Sequence, residues 1–244
     1  MRNSGFTLIE TIVAMSILSI VLWLGIGYFI QTREVAQQAQ TQSEVQDRVR
    51  SVMQMVTNDL QLAGSSRYTD SSGNTTSQLS CVISSCLSGA ASGANSAVTD
   101  KLTVRYASSL QDNGASACRR VDYLIVNNSL RRSDQTCATA DSTVTTALEN
   151  TSNEISGNIL ALDIQYVCST GTTTNQYPDN TNCPSGTSYP RSALVTVVGR
   201  SSDPDGKTSI KTYRTTSGPT VTCPAQYVCY SMTQQVLMPN LKDQ

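Results

Sequence analysis

Two hydrophobic patterns follow one another at the start of this chain. From Phe6 to Ile30 the side chains are apolar or uncharged except for Glu10, which carries the only side-chain charge in the run. About 20 apolar residues cross a bilayer core as a helix, so the run is long enough to span one. From Gln31 to Ala63 the composition turns polar, with no Gly or Pro to interrupt a helix. Within that segment Val45, Val49, Val52, Met53, Val56, Leu60 and Ala63 recur at helical spacing and share one face. Gly64 follows the last of them and is a natural stop, because glycine readily takes the left-handed backbone that ends helices.

Beyond Gly64 the period changes. Residues 65–78 are rich in Ser, Thr, Gly and Asn and read as loop. Alternating or β-rich runs predict strands at Lys101–Tyr106, Val121–Val126, Ile159–Val167 and Ala193–Val198, with a weaker one at Gln226–Tyr230. Asn127-Asn128 between two such runs predicts a hairpin turn. Segments 85–99, 133–154, 169–190 and 200–222 read as long loops, and long loops on a scaffold are where recognition surfaces concentrate. The expected architecture is α+β: a long N-terminal α-helix packed on an antiparallel β-rich head. Its expected boundaries are a leader over 1–5, a transmembrane helix over 6–30, an amphipathic continuation over 31–64 and a head over 65–244.

Composition narrows the chemistry. Net charge is −1 and only 14% of residues are charged, so this is not a globally basic nucleic-acid binder. Histidine is absent, which removes His-based triads, His metal sites and the usual general base. No phosphate-binding Gly-x4-Gly-Lys-Ser/Thr loop occurs. Neither an enzyme nor a cofactor is expected.

All eight cysteines lie beyond residue 80, on the far side of the apolar run. An even count so placed argues for disulfides in an oxidising compartment. Zinc fits poorly, because the spacings are irregular and no Cys-x2-Cys pair exists. About a hundred pairings are open in principle. Neighbour pairing is the simplest, since each interval reads as a short hairpin or turn-rich loop: Cys81-Cys86, Cys118-Cys137, Cys168-Cys183 and Cys223-Cys229.

Glu10 is the residue that demands a reason. A carboxylate in a membrane span costs about 2.5–3.5 kcal/mol at the bilayer centre and usually has a partner. A secretory signal peptide does not account for it, having a shorter apolar core and a small-residue cleavage site after that core. The N-terminal Gly5-Phe6-Thr7-Leu8-Ile9-Glu10 resembles the processing site of type IV prepilins and type II secretion pseudopilins. The resemblance implies cleavage between Gly5 and Phe6 by a prepilin peptidase, and N-methylation of Phe6. It implies that Glu10 neutralises the Phe6 amino group of a neighbouring subunit. Two opposite charges in a low-dielectric core attract strongly where either alone is penalised.

Finer resemblances lie further on. Asn58-Asp59-Leu60-Gln61-Leu62-Ala63-Gly64 resembles the helix ending of PilW-like minor pilins and the related J-type pseudopilins. Leu160-Ala161-Leu162-Asp163-Ile164-Gln165-Tyr166 is similar to their mid-domain strand, and Gln235-Val236-Leu237-Met238-Pro239-Asn240-Leu241 to their last strand. What this implies is a minor pilin that primes or caps a filament at or near its tip. A type II secretion pseudopilin, or a DNA-uptake or adhesive tip pilin, is the alternative. The implied partners are prepilin peptidase, other major and minor pilins through the N-terminal helix, an inner-membrane assembly platform, and membrane lipid before assembly. Arg2 and the N-terminal amine favour a cytoplasmic N-terminus, which places the head outside the inner membrane and later in a pilus or periplasmic pseudopilus.

Two smaller signals remain. Asp203 and Asp205, in Asp203-Pro204-Asp205-Gly206, have the spacing of a calcium loop but lack its distant glutamate, and Pro-Asp-Gly is itself a turn sequence. Arg119-Arg120 and Arg131-Arg132 would form a basic patch for DNA or a surface ligand if hairpin pairing brought them together.

Overall fold

An uninterrupted supply of helix-forming residues produces one long helix. In the computed structural model, which describes residues 8–65, 67–69, 75–77, 86–91, 100–107, 118–136, 152–184, 187–204 and 210–241, helix α1 runs over Leu8–Leu62. The chain divides into two units, Met1–Ser43 and Glu44–Gln244. The first unit holds the apolar part of the helix from Leu8 to Ile30 and its first polar turns, to Ser43. Its hydroxyls are satisfied within it: Thr11 Oγ1 donates to the Leu8 carbonyl at 2.8 Å, Ser16 Oγ to that of Ile12 at 2.8 Å, and Thr32 Oγ1 to that of Tyr28 at 2.9 Å. In hydrocarbon no water is present to do this, so side chains that bond their own helix are tolerated there.

In the second unit α1 buries the stripe that its spacing predicts. Val45, Val49, Val52, Met53, Val56, Leu60 and Ala63 are all buried. Gly64 follows at φ +77°, with its N–H donating to the Arg105 carbonyl at 2.9 Å, while Ser65 N–H donates to the Leu62 carbonyl. The Asn240 side-chain amide donates to the Gln61 carbonyl at 2.8 Å and satisfies one of the acceptors that a helix end leaves open.

The strands in chain order are β1 (Arg67–Thr69), β2 (Thr75–Ser77), β3 (Leu87–Ala91), β4 (Asp100–Ala107), β5 (Cys118–Val126), β6 (Ser129–Thr136) and β7 (Asn153–Gly157). They continue as β8 (Ile159–Cys168), β9 (Thr173–Thr174), β10 (Pro190–Arg200), β11 (Thr212–Arg214), β12 (Thr220–Thr222) and β13 (Cys229–Leu237). One sheet has the order β3-β4-β5-β6-β7 and a second β13-β10-β8-β9, with two-stranded ribbons β1-β2 and β11-β12. Every pairing is antiparallel.

Alternation along the strands decides what meets α1. Leu102 and Val104 of β4, Val121 and Tyr123 of β5, Leu162, Ile164 and Tyr166 of β8, and Val195 and Val197 of β10 join its stripe in one core. Ala161 and Val198 point the other way and form a second small core with Val221, covered by the β11-β12 ribbon. Ile159 joins the α1 core despite its odd number, because the register slips beside it: Val198 pairs with Ala161, and Gly199 with Ile159. One extra residue in the strand flips the face of what precedes it.

The turn at Asn127-Asn128 has both residues at positive φ, 53° and 60°, as a two-residue hairpin loop requires. Other expectations need correction. Strands β3 and β9 and both ribbons lie within segments read as loops, and the segment 133–154 also takes in the end of β6 and the start of β7. The missed strands are short and mix Thr and Ser with scattered Tyr, Arg, Val, Leu, Gly or Ala residues, so no apolar alternation announces them. The expected strand at Gln226–Tyr230 is displaced: Gln226 has φ 72°, and β13 starts only at Cys229. The terminal segment is strand to Leu237 and then a 3-10 turn over Pro239–Leu241, since proline cannot donate to a ladder.

Cys168 is bonded to Cys183 and Cys223 to Cys229, closing intervals of 15 and 6 residues. Loop-closure entropy makes bridges of such lengths worth about 2–3 kcal/mol each. Cys86 is also disulfide-bonded, but Cys81 and Cys137 lie outside the described residues, as does the side chain of Cys118.

Candidate functional site

The residues with chemistry to offer fall into two groups, one on the helical unit and one in the head. On the helical unit the large apolar side chains from Leu8 to Ile30 are all exposed, among them Trp23 and Tyr28. This stretch is long and apolar enough to cross a membrane. Glu10 sits in the first turn of α1, where a carboxylate also complements the positive end of the helix dipole. Gly5 and Phe6 lie outside the described residues. The helix therefore presents a continuous apolar surface with a single acid near its beginning. Such a surface is stable only in lipid or against other apolar helices.

In the head, the last turns of α1 are fastened by a carboxylate that sequence reasoning quoted without giving it a role. Asp59 is buried on the apolar face, and the groups that meet it across the core are polar: Tyr106, whose hydroxyl lies 3.5 Å from Oδ1, Tyr123 and Arg132. Tyr123 of β5 donates its hydroxyl to Asp59 Oδ2 in a short hydrogen bond, and Arg132 of β6 donates to the same oxygen through Nη2 at 3.2 Å and Nε at 3.3 Å. Arg132 also donates to the Tyr123 oxygen at 3.2 Å, and through Nη1 to Asp134 at 3.2 Å. The register makes this possible, because Tyr123 and Arg132 are direct cross-strand partners. Burial, reinforced by Asp59, holds the Tyr123 hydroxyl protonated well above its ordinary range. Burial works against the charge on Arg132, but Tyr123 and Asp59 beside it outweigh that and keep it charged.

The sign for alkaline pH follows. An unfolded tyrosine ionises near about pH 10, whereas the folded Tyr123 keeps its proton beyond that. Its contribution is complete below about pH 10 and is lost as pH rises toward the folded value, because the unfolded state then binds fewer protons. Melting temperatures are expected to fall from about pH 9 to about 11, with a shallower slope for Tyr123→Phe. An unchanged slope in that variant would count against the assignment.

A second buried aspartate, Asp163 of β8, accepts from Ser217 N–H at 3.0 Å, from Thr216 Oγ1 at 2.9 Å and, in a short bond, from Ser217 Oγ. It ties the turn of the β11-β12 ribbon to the second sheet. Asp59 and Asp163 each belong to a segment whose resemblance to PilW-like proteins is quoted above. A charged residue amid an apolar pattern was the signal available, and the structure shows both to be hydrogen-bonded anchors.

The arginine pairs do not form an open basic patch. Adjacent residues on a strand point to opposite faces, so each pair is split. Arg119 meets Asp134 at 2.5 Å, Arg132 meets Asp59 and Asp134, and Arg120 is buried against Asp122 at 3.1 Å. Asp122 also accepts from Thr103 Oγ1 at 2.6 Å and Ser133 Oγ at 3.1 Å. Asp203 lies exposed in a turn, its backbone carbonyl accepting from Ser201 Oγ at 2.7 Å, and Asp205 lies outside the described residues. Among the described residues no three His, Cys, Asp or Glu side chains converge on a point that would hold a metal.

Comparison with known proteins agrees with this geometry. Residues 1–26 match the family described as the prokaryotic N-terminal methylation motif. The chain is 45% identical over 239 residues to the pilin-like protein PilA3 of Thermus thermophilus, covering 98% of this chain and 97% of that protein. A solved type IV-like pilin from Thermus thermophilus superposes with a TM-score of 0.52 over 80% of this chain and 96% of that one. At 12% identity that likeness is one of fold. With its methylation motif, exposed apolar helix and antiparallel head, the chain belongs to the type IV pilin-like family.

Proposed function

We propose that this protein is a minor pilin that primes or caps a type IV pilus at or near its tip. The observation that carries the reading is the apolar surface from Leu8 to Ile30, exposed throughout and interrupted by the single carboxylate of Glu10. Prepilin peptidase removes residues 1–5, Phe6 becomes the N-methylated first residue, and the helix rests in the inner membrane with the head outside the cytoplasm. An assembly platform then transfers the subunit into a bundle of like helices from major and minor pilins. There Glu10 pairs with the Phe6 amine of an adjacent subunit and sets the axial register.

A head over 65–244 is large, and repeating it along a closely packed shaft would be crowded, which supports a terminal position. In the head, the pairs Cys81-Cys86 and Cys118-Cys137 complete the set of neighbour disulfides. The alternatives of a secretion pseudopilin or a DNA-binding tip share the same helix chemistry. Engagement of Arg119, Arg120 and Arg132 by carboxylates weakens the DNA reading specifically.

Glu10→Ala is expected to remove or sharply reduce surface filaments while leaving the protein in the membrane, as counted by electron microscopy beside membrane fractionation. Glu10→Asp should recover part of the number. Filaments at normal number in Glu10→Ala would sink the assembly role.

A further inference from the structure

Beside the β8-β9 edge of the second sheet lies an open cleft of about 430 Å³, a volume within the usual range for small-ligand sites. Its lining is nearly all amide and hydroxyl, from Gln165, Thr173, Thr174, Asn175, Gln176 and Asn182, and Asp179 completes it. None of these residues lies on the helix through which assembly is proposed above.

The cleft is held in shape from beneath. The Cys168–Cys183 bond closes the segment that forms it. Asp179 is buried and saturated: it accepts from Thr174 Oγ1 at 2.6 Å, Thr181 N–H at 2.9 Å, and Asn182 through both its backbone and side-chain nitrogens at 3.3 and 2.9 Å. Those donors, Thr174 first, hold its carboxyl well below the usual range. Thr172 Oγ1 donates to the Asn182 carbonyl at 2.5 Å, and Tyr177 is bridged through its backbone to Gly89.

The backbone that carries the outward side chains is therefore held. Gln165 Nε2 donates to Asn175 Oδ1 at 3.3 Å, which leaves the Gln165 oxygen and the Asn175 amino group for a ligand. Gln176 bonds Thr174 Oγ1 through its backbone, and its side-chain amide and the Thr173 hydroxyl have no hydrogen-bond partner among the described residues.

This donor set suits a neutral polar ligand. No cation lines the cleft, so nothing there offsets an anion. The one carboxylate is already occupied by four donors, which makes it a poor metal ligand. Side-chain amides present a donor and an acceptor side by side, and vicinal hydroxyls require that combination. We propose that the cleft binds a neutral oligosaccharide, with Gln165, Asn175 and Gln176 as the reading residues.

The test uses the full-length protein in a non-glycosidic detergent, titrated with maltotetraose, cellotetraose and chitotetraose and followed by saturation-transfer NMR. Which of the three binds distinguishes storage, plant-wall and amino-sugar sources. Asn175→Ala/Gln176→Ala removes two exposed side chains, and its melting temperature should match that of the parent.

The expected result is binding of at least one neutral tetrasaccharide, weakened by about tenfold or more in the double variant, as the loss of two hydrogen bonds implies. Tetragalacturonate, with its carboxylates, should bind less well than the neutral sugars. The proposal is overturned if no neutral member binds at millimolar concentration, if the double variant binds as the parent does, or if tetragalacturonate binds equally well.

Discussion

Asp59→Ala is expected to destabilise the head by about 3 kcal/mol, the lower end of what removing one partner from a buried ion pair costs. The lower end applies because the Arg132 side chain retains 23% of its exposure and can still reach Asp134. Two effects add in this variant. Tyr123 loses the acceptor for a buried hydroxyl, and Arg132 loses the carboxylate that offsets its burial. The position makes the loss consequential, since Asp59 lies on α1 while Tyr123 and Arg132 lie on adjacent strands, so the cluster adds a polar fastening of helix to sheet beside the apolar stripe.

Asp59→Asn separates charge from hydrogen bonding. It keeps a carbonyl acceptor for Tyr123 and should cost about half as much. Urea unfolding of the full-length protein in detergent, followed by circular dichroism, measures both variants. A loss below about 1 kcal/mol for Asp59→Ala, the level of an exposed pair, would show that the cluster contributes little.

A comparable loss is expected for Gly89→Ala, for a steric reason. Gly89 is the central residue of β3, pairing with Leu102 on one side and bridging the backbone of Tyr177 on the other. It is thus a point at which the edge of the first sheet meets the loop of the second. The Tyr166 ring lies directly over it: a Cβ at position 89 would fall 1.9 Å from the Tyr166 hydroxyl oxygen and 2.8 Å from Cζ. Tyr166 is buried and packs against Tyr177 at 6.1 Å between ring centroids, so it has little room to yield.

Overpacking of this kind costs about 1–3 kcal/mol, and a contact this close belongs at the upper end. In a Tyr166→Phe background the hydroxyl clash disappears while the Cζ contact remains, so the cost of Gly89→Ala should drop by about half. A double-mutant cycle reads that coupling. Strict additivity of the two changes would mean that the ring is not what the methyl meets.

These anchors mark where the sequence stops being legible. The buried face of α1 could be read residue by residue, from Val45 to Ala63, because a period of 3.6 residues is a local property. Strands β4, β5, β8 and β10 were legible for the same reason, as was the turn at Asn127-Asn128. The ribbons β1-β2 and β11-β12 were not, since short runs of Thr, Ser, Tyr and Arg look the same in a strand and in a loop. What separates the two is the partner strand.

Asp59 and Asp163 were visible as oddities in apolar surroundings. Their roles depend on which strands lie opposite and in which register, and that is a tertiary fact. The arginine pairs failed for a related reason, because adjacency in sequence on a strand means opposite faces in space. On the helical unit the reverse holds. Gly5, Phe6 and Glu10 are informative in one dimension, and the helix adds mainly that the surface around Glu10 is apolar and exposed.

The central claim, that this chain is a processed filament subunit, is tested most directly by the intact mass and N-terminal sequence of the protein from its native host. The account predicts a mature chain that begins at Phe6, is short by residues 1–5, and carries one added methyl group on its amino terminus. A chain still beginning at Met1, with no added methyl, would contradict it. The protein would then be a membrane-anchored domain whose helix does not enter a filament.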